Sequence, residues 1–409
     1  MLPPGKDTAM DHVWLLAALW IGLALLATLC AAWLRVSVAL TEIVIGVGAS
    51  WVITGRWGAA AMGAGEGWIT FLASAGAVIL TFLAGAELDP VAFRKSWKET
   101  TLLGLIGFAA PFLGAAWTAR VLLGWDPRAA WLAGVALSTT SVAVVYAVLL
   151  ELGLNKTPFG KVILAACFIN DLGTVIALGL LFAPFTWRTG AFSLGTLAAL
   201  FALLWTTEHL FRHHGGRPSE FEAKFLLFAL FGLGWLAAWS GSEAVLPAYL
   251  IGMVLAGSVG RDAELIRRLR TLTLGLLTPF YFLRAGSFVQ VPVIAGGLGT
   301  FAVLFFAKAV SKFAGIFPVT RVLRYRQPDA MYTTLLMSTG LTFGTISSLY
   351  GLSHGIITRS QYSFLVATVI ASAVVPTWIA NRFFLPHHHL RPVDGTEGDV
   401  ALEAAAATD

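Results

Sequence analysis

Apolar stretches about as long as a bilayer is thick recur along nearly all of this 409-residue chain, and that recurrence limits its fold more than any single motif. A helix rises about 1.5 Å per residue, so crossing the hydrocarbon core takes roughly 20 apolar residues. Windows of that size fall at 12–33, 36–54, 68–86, 101–123, 129–150, 160–183, 191–211, 222–239, 242–258, 271–290, 294–320, 330–350 and 362–383. With 57% hydrophobic and 12% charged residues, the composition lies outside the soluble range. The reading is an all-α polytopic membrane protein with about 13 transmembrane helices, flanked by an N-terminal segment (1–11) and a polar tail (384–409). The first window is too long, and too poor in a small-residue cleavage site, for a removed signal peptide.

Basic residues accumulate in cytoplasmic loops. With the N-terminus outside, 18 of the 27 Lys and Arg fall on inner segments and six on outer ones. The C-terminus is then cytoplasmic, and the net charge of +5 reflects topology, so a nucleic-acid partner is not needed. The three remaining bases, Arg284, Lys308 and Lys312, lie inside proposed spans. Cys30 and Cys167 occupy different spans without a CxxC, which points to packing rather than a metal or redox site.

An internal repeat is present. "PFLGAAWTARVLLGWDPRA" (111–129) aligns with "KFAGIFPVTRVLRYRQPDA" (312–330) at a shift of 201, matching Phe112, Gly114, Arg120, Val121, Leu122, Pro127 and Ala129 to Phe313, Gly315, Arg321, Val322, Leu323, Pro328 and Ala330. At a shift of 200, "FLAGA" (82–86) meets "FLRAG" (282–286), and "LSTT" (137–140) meets "MSTG" (337–340). The paired spans are seven apart, an odd number, so the two halves run through the membrane in opposite directions. Two inverted-topology six-helix repeats with a linker helix follow. Such folds bind substrate near the midplane, where interrupted helices cross. The interruptions are expected at Ser138, Thr139 and Thr140 and at Ser338, Thr339 and Gly340, where hydroxyl and freed carbonyl oxygens could replace the water around a small cation. Plain helix packing is the other reading of these small residues.

Asp171 interrupts "AACFINDLGTVIALGLLF" about eleven residues, roughly 16 Å, from the inner end of its span. A charge at that depth persists mostly where it meets a wet cavity or a partner. One buried carboxylate can hold a proton or a metal cation but not comfortably both, a simple basis for exchanging the two. Asn170 adds a neutral donor beside it. Lys308 and Lys312, one helical turn apart, lie roughly 20 and 13 Å from the inner end of theirs, and Lys312 is the favoured site residue. Arg284 calls for a partner, with Glu42 or Glu243 as candidates for a structural salt bridge. Glu87 and Asp89 are expected to pair with Arg94 and Lys95. The histidine run 387–389 is expected to be solvated rather than metal-binding.

In their order and spacing over most of the chain, "FLAGAELDP", "STTSVAVV", "FINDLGTV", "TPFYFLRAG" and "KFAG" resemble the monovalent cation/proton antiporters, in the branch that includes bacterial sodium/proton and potassium-efflux antiporters. The resemblance implies a core domain (about 68–183 and 271–383) with crossed interrupted helices, moving elevator-like against a dimerisation scaffold (about 12–54 and 191–258). It also implies a homodimer in the cell inner (plasma) membrane, no cofactor, and Na+ or K+ and H+ as the transported partners. By the same resemblance Asp171 is the ion-binding carboxylate, Asn170 the residue before it, Lys312 the core lysine, and Ser138 to Thr140 with Ser338 and Thr339 the crossed helices. Electrogenic sodium/proton members carry two adjacent acids, whereas here the first is Asn170, which favours one-for-one electroneutral exchange. Potassium-efflux members pair an amide with the Asp and keep the Lys, so K+ stands beside Na+ and Li+.

The expected function is therefore secondary antiport of a monovalent cation against protons, with competition at Asp171. A sodium-coupled organic-anion symporter of similar inverted fold and a cation channel are the rivals. An enzyme is the weakest reading: HExxH, paired catalytic carboxylates and a Ser with a plausible His partner are all missing from the sequence.

Overall fold

The computed structural model describes residues 6–34, 37–58, 61–86, 90–182, 186–214, 220–242 and 244–389. Its regular structure among these residues is helical throughout. In chain order the helices are α1 (Lys6–Leu34), α2 (Val38–Trp57), α3 (Gly67–Ala86), α4 (Pro90–Lys95), α5 (Trp97–Val121), α6 (Pro127–Ser138), α7 (Val142–Glu151), α8 (Pro158–Phe182) and α9 (Trp187–His214). There follow α10 (Phe221–Ser240), α11 (Val245–Leu255), α12 (Ala263–Leu272), α13 (Thr278–Ser287), α14 (Val291–Gly296), α15 (Leu298–Val322), α16 (Gln327–Leu336), α17 (Thr342–Ser353) and α18 (Arg359–Phe383).

Among the described residues, ten segments are long and apolar enough to cross a membrane. By that measure the count is ten, against the thirteen windows of the sequence. The other three windows fall on shorter or broken pieces. The helix α11 has 11 residues, 271–290 takes in the end of α12, a π-helical turn at Thr273–Leu277 and α13, and 330–350 covers α16 and α17.

The internal repeat is visible as a repeat of element lengths. Helices α5 and α15 each have 25 residues, as do α8 and α18, and each pair begins 201 residues apart. Between them the chain breaks twice, at 139–141 between α6 and α7 and at 337–341 between α16 and α17.

Close packing sorts the helices into two bodies. Gly85 of α3 faces the carbonyl of Tyr249, and Gly252 of α11 faces that of Phe82, so closely that a Cβ on either would overlap the opposing backbone. Gly46 of α2 and Gly286 of α13 meet the carbonyls of Leu283 and Ile43 in the same way. Helices α3 and α13 therefore associate with α11 and α2, while α5 packs on α6, α8 and α15. A seam runs between these two groups of helices, with contacts between α8 and α11 spanning it. Two tyrosines reach across it: the Tyr249 hydroxyl donates to the Phe168 carbonyl of α8 at 2.8 Å, and the Tyr362 hydroxyl of α18 donates to the Ala285 carbonyl of α13 at 2.6 Å.

Candidate functional site

The two breaks explain themselves locally. A helix end leaves its last carbonyls without N–H partners, and each such group costs about 1–3 kcal/mol if buried unpaired. At the end of α6, the Ser138 and Thr139 hydroxyls donate back to the carbonyls of Val135 (2.8 Å) and Ala136 (3.3 Å). At the end of α16, Ser338 and Thr339 donate to Thr334 (2.7 Å) and Leu336 (2.8 Å). The run of hydroxyl residues thus adds side-chain donors at the interrupted helix ends, the Leu336 carbonyl also accepting the Thr339 N–H at 3.2 Å. On the far side of the first break, the Ser141 hydroxyl accepts the Val144 N–H at 3.4 Å and caps α7.

The breaks touch. The Thr140 hydroxyl donates to the Met337 carbonyl at 2.9 Å, joining residues 197 apart in sequence. Gly340 faces the Lys308 ammonium directly, and a Cβ there would also lie 3.0 Å from Thr139 Oγ1 and 3.3 Å from Ser372 Oγ, so a larger residue would displace the lysine head from the second break.

Both lysines serve this crossing. Lys312 Nζ donates to Thr140 Oγ1 at 2.9 Å, and Lys308 Nζ donates to the Thr139 carbonyl at 3.4 Å. Each is at most 1% exposed. Two helices end here with their partial negative charge pointing inward, and ammonium groups are the natural complement to such ends. The sequence reading weighed Lys312 above Lys308, and the structure brings both to the first break.

Asp171 lies one residue past the middle of α8 and is 1% exposed. Its Oδ1 has no hydrogen-bond partner, and neither does Oδ1 or Nδ2 of Asn170. Three polar atoms without partners on adjacent buried residues are unusual, because nearly all such atoms in folded proteins are paired. Lys312 is the charged neighbour that acts on Asp171 through space, although the described residues show no ion pair between them. One turn on, the Thr174 hydroxyl donates to the Asn170 carbonyl at 3.2 Å and lies 3.5 Å from Ser138 Oγ, tying α8 to the first break. Gly107 of α5 lies beside the amide, where a Cβ would stand in ordinary contact with Asn170 Nδ2 at 3.5 Å.

Asn170, Asp171, Ser138, Thr139, Thr140, Lys308 and Lys312 thus surround one crossing, with Ser338 and Thr339 across it. Other expectations fare differently. Arg284 finds no salt bridge among the described residues; its Nε donates to the Ala64 carbonyl at 2.8 Å and its guanidinium stacks 5.0 Å from the Phe288 ring centre. A delocalised, weakly hydrated cation tolerates this pairing better than an ammonium would. Glu243, Glu87 and Asp89 lie outside the described residues. Cys30 and Cys167 are free thiols, the second one turn before Asp171. Tyr249 escaped the sequence reading, because a tyrosine inside an apolar span looks like packing. It is fully buried, with its hydroxyl on the carbonyl three residues before Asp171 and its ring edge-on to Phe343 at 5.7 Å.

Comparison with known proteins gives this crossing a context. The model of the sodium/hydrogen exchanger transmembrane family matches residues 21–384. The probable Na(+)/H(+) antiporter 3 of Methanocaldococcus jannaschii is 25% identical over 327 residues, 78% of this chain and 84% of that protein. Cation/H(+) antiporter 17 of Arabidopsis thaliana is 25% identical over 344 residues, 79% of this chain but 42% of its own length. Among solved structures, the sodium proton antiporter MjNhaP1 of M. jannaschii superimposes with a TM-score of 0.64 over 91% of this chain and 97% of that one. At 15% identity, that match speaks to fold alone. With a family model covering most of its length and a polytopic helical fold to match, the chain belongs to the sodium/hydrogen exchanger family, membrane-embedded secondary transporters rather than enzymes.

Proposed function

We propose that the protein exchanges a monovalent cation for protons by alternating access, with both ions competing for Asp171. One observation carries this reading: a fully buried carboxylate at mid-helix, beside two crossed helix breaks, whose Oδ1 has no donor. A carboxylate in that condition takes up either a proton or a metal cation, and one occupant lowers the affinity for the other. The hydroxyls of Ser138, Thr139, Thr140, Ser338 and Thr339 already donate to carbonyls, so their oxygens can accept a cation in place of water, with one lone pair of Thr140 taken by Lys312. Lys308 and Lys312 hold the breaks in shape and balance the charge of the empty site. Na+ is the leading cation, with Li+ close to it. The amide at position 170 also favours a potassium/proton efflux reading, and a single titratable acid favours electroneutral exchange.

The moving body in this reading comprises α5–α8 and α15–α18, sliding elevator-like against the remaining helices, which also form the dimer contact. The Tyr249 and Tyr362 hydrogen bonds would be exchanged during that motion. The bias of basic residues supports an orientation with the N-terminus outside, and the plasma membrane is the location the family resemblance implies. The test is Asp171→Asn in proteoliposomes, with Na+, Li+ and K+ tried separately across pH. Cation-dependent proton flux is expected to fall to the level of empty liposomes for every cation, with the variant still monodisperse. Full exchange by that variant would remove Asp171 from the site.

A further inference from the structure

The histidine run was expected to be solvated, yet it folds back onto the end of the transport body. His388 Nε2 lies 3.1 Å and His389 Nε2 3.6 Å from Asp329 Oδ2. Asp329 is in the first turn of α16, the half-helix whose other end forms the second break. Its side chain is 8% exposed, and its second oxygen, Oδ1, is buried with no hydrogen-bond partner. His389 is held by stacking on Phe159 at the start of α8, with ring centres 4.6 Å apart and planes within 10°. Two imidazoles and one carboxylate therefore converge at a junction of the tail, α8 and α16.

We infer that Asp329, His388 and His389 form a binding site for a divalent transition metal, of the Zn2+ class, that pins the C-terminal tail to α16. The three ligand atoms all lie within 4.8 Å of one another. Metal–ligand bonds of about 2.0–2.1 Å at tetrahedral angles separate neighbouring ligand atoms by roughly 3.3 Å. The distances of 3.1 and 3.6 Å bracket that spacing, so small side-chain movements would close the site. Two nitrogens and one oxygen suit Zn2+ and its neighbours over Mg2+ or Ca2+, which prefer all-oxygen shells. Three protein ligands leave a fourth position open to water. The site is independent of Asp171 and adds a ligand of another chemical class.

The experiment uses the full chain, purified through a tag without histidines and stripped of metal, with Zn2+ as the probe in calorimetric titration. One site per chain is expected. It should weaken at least about 100-fold in Asp329→Asn and in a His388→Gln, His389→Gln double variant, since even the loss of an outer-shell partner costs 10–100-fold. Co2+ bound to the wild type should give the visible absorption of a tetrahedral site. The histidine variant changes only tail residues that are about one-third exposed, so it tests the site even if Asp329→Asn folds poorly. Absence of stoichiometric Zn2+ binding by the wild type, or binding undiminished in the histidine variant, would overturn the inference.

Discussion

The two repeats have the same shape and opposite chemistry. Helices α5 and α15 match in length, as do α8 and α18, and each half contains one broken span. At the shift of 201 that superimposes these pairs, Asp171 corresponds to Ser372 and Asn170 to Ala371, while Lys308 and Lys312 correspond to Gly107 and Pro111. The first half therefore supplies the acid and the second half both bases. Two like charges about 4 Å apart in a medium of low effective dielectric repel by several kcal/mol. A fully duplicated site would place two carboxylates, or four ammonium groups, around one crossing. Keeping the frame and dividing the charges spares the crossing a second carboxylate and a second pair of ammonium groups while preserving the inverted architecture.

Short of removing Asp171 itself, the largest effect should come from removing a base. Lys312→Ala leaves Thr140 without its ammonium donor at 2.9 Å and removes the charge that acts on Asp171. Exchange in proteoliposomes is expected to fall at least about tenfold, equivalent to about 1.4 kcal/mol in the barrier. Lys312→Arg, which keeps the charge, should recover part of it. Wild-type rates in the alanine variant would mean that Lys308 alone serves the crossing and that the division of charge is looser than drawn.

Adding an acid to the first half probes the same balance from the other side. Asn170→Asp places two carboxylates side by side on α8, where Asn170 Oδ1 and Nδ2 now have no partner. With one acid, exchange measured under a clamped membrane potential should be insensitive to voltage. With two, the extra proton carried per cation should make it voltage-dependent. A clear voltage dependence in the wild type would sink the one-for-one reading.

Much of the frame was legible because bilayer thickness sets the length of the windows and hydroxyl-rich runs mark where a helix can break and satisfy its own carbonyls. The "STT" and "STG" runs fall at the two observed breaks for that reason. The geometry around them was less legible. Depth along a helix gives no information about which side faces a partner, so Lys308 and Lys312 could be ranked but not placed. The Arg284 guanidinium turned to the Ala64 carbonyl, 220 residues away, which no count of acids would suggest. Tyr249 looked like core, and the helix it reaches lies 81 residues away in sequence. The histidines looked like tail because their partner, Asp329, sits 59 residues earlier. In each case the missing information was a long-range contact between elements that were individually predictable.

The smallest effect is expected at Ser372, the counterpart of Asp171 in the second half. Its hydroxyl donates within its own helix to Val369 at 2.8 Å and only weakly to the Gly340 carbonyl at 3.5 Å. An intrahelical back-bond of this kind adds little stability. Ser372→Ala should therefore leave exchange within about twofold of wild type, while Asp171→Asn abolishes it. If Ser372→Ala instead lost tenfold or more, the Gly340 carbonyl would depend on that weak bond for its orientation. The second break would then contribute ligands as fully as the first, and the chemistry as well as the frame would be shared between the halves.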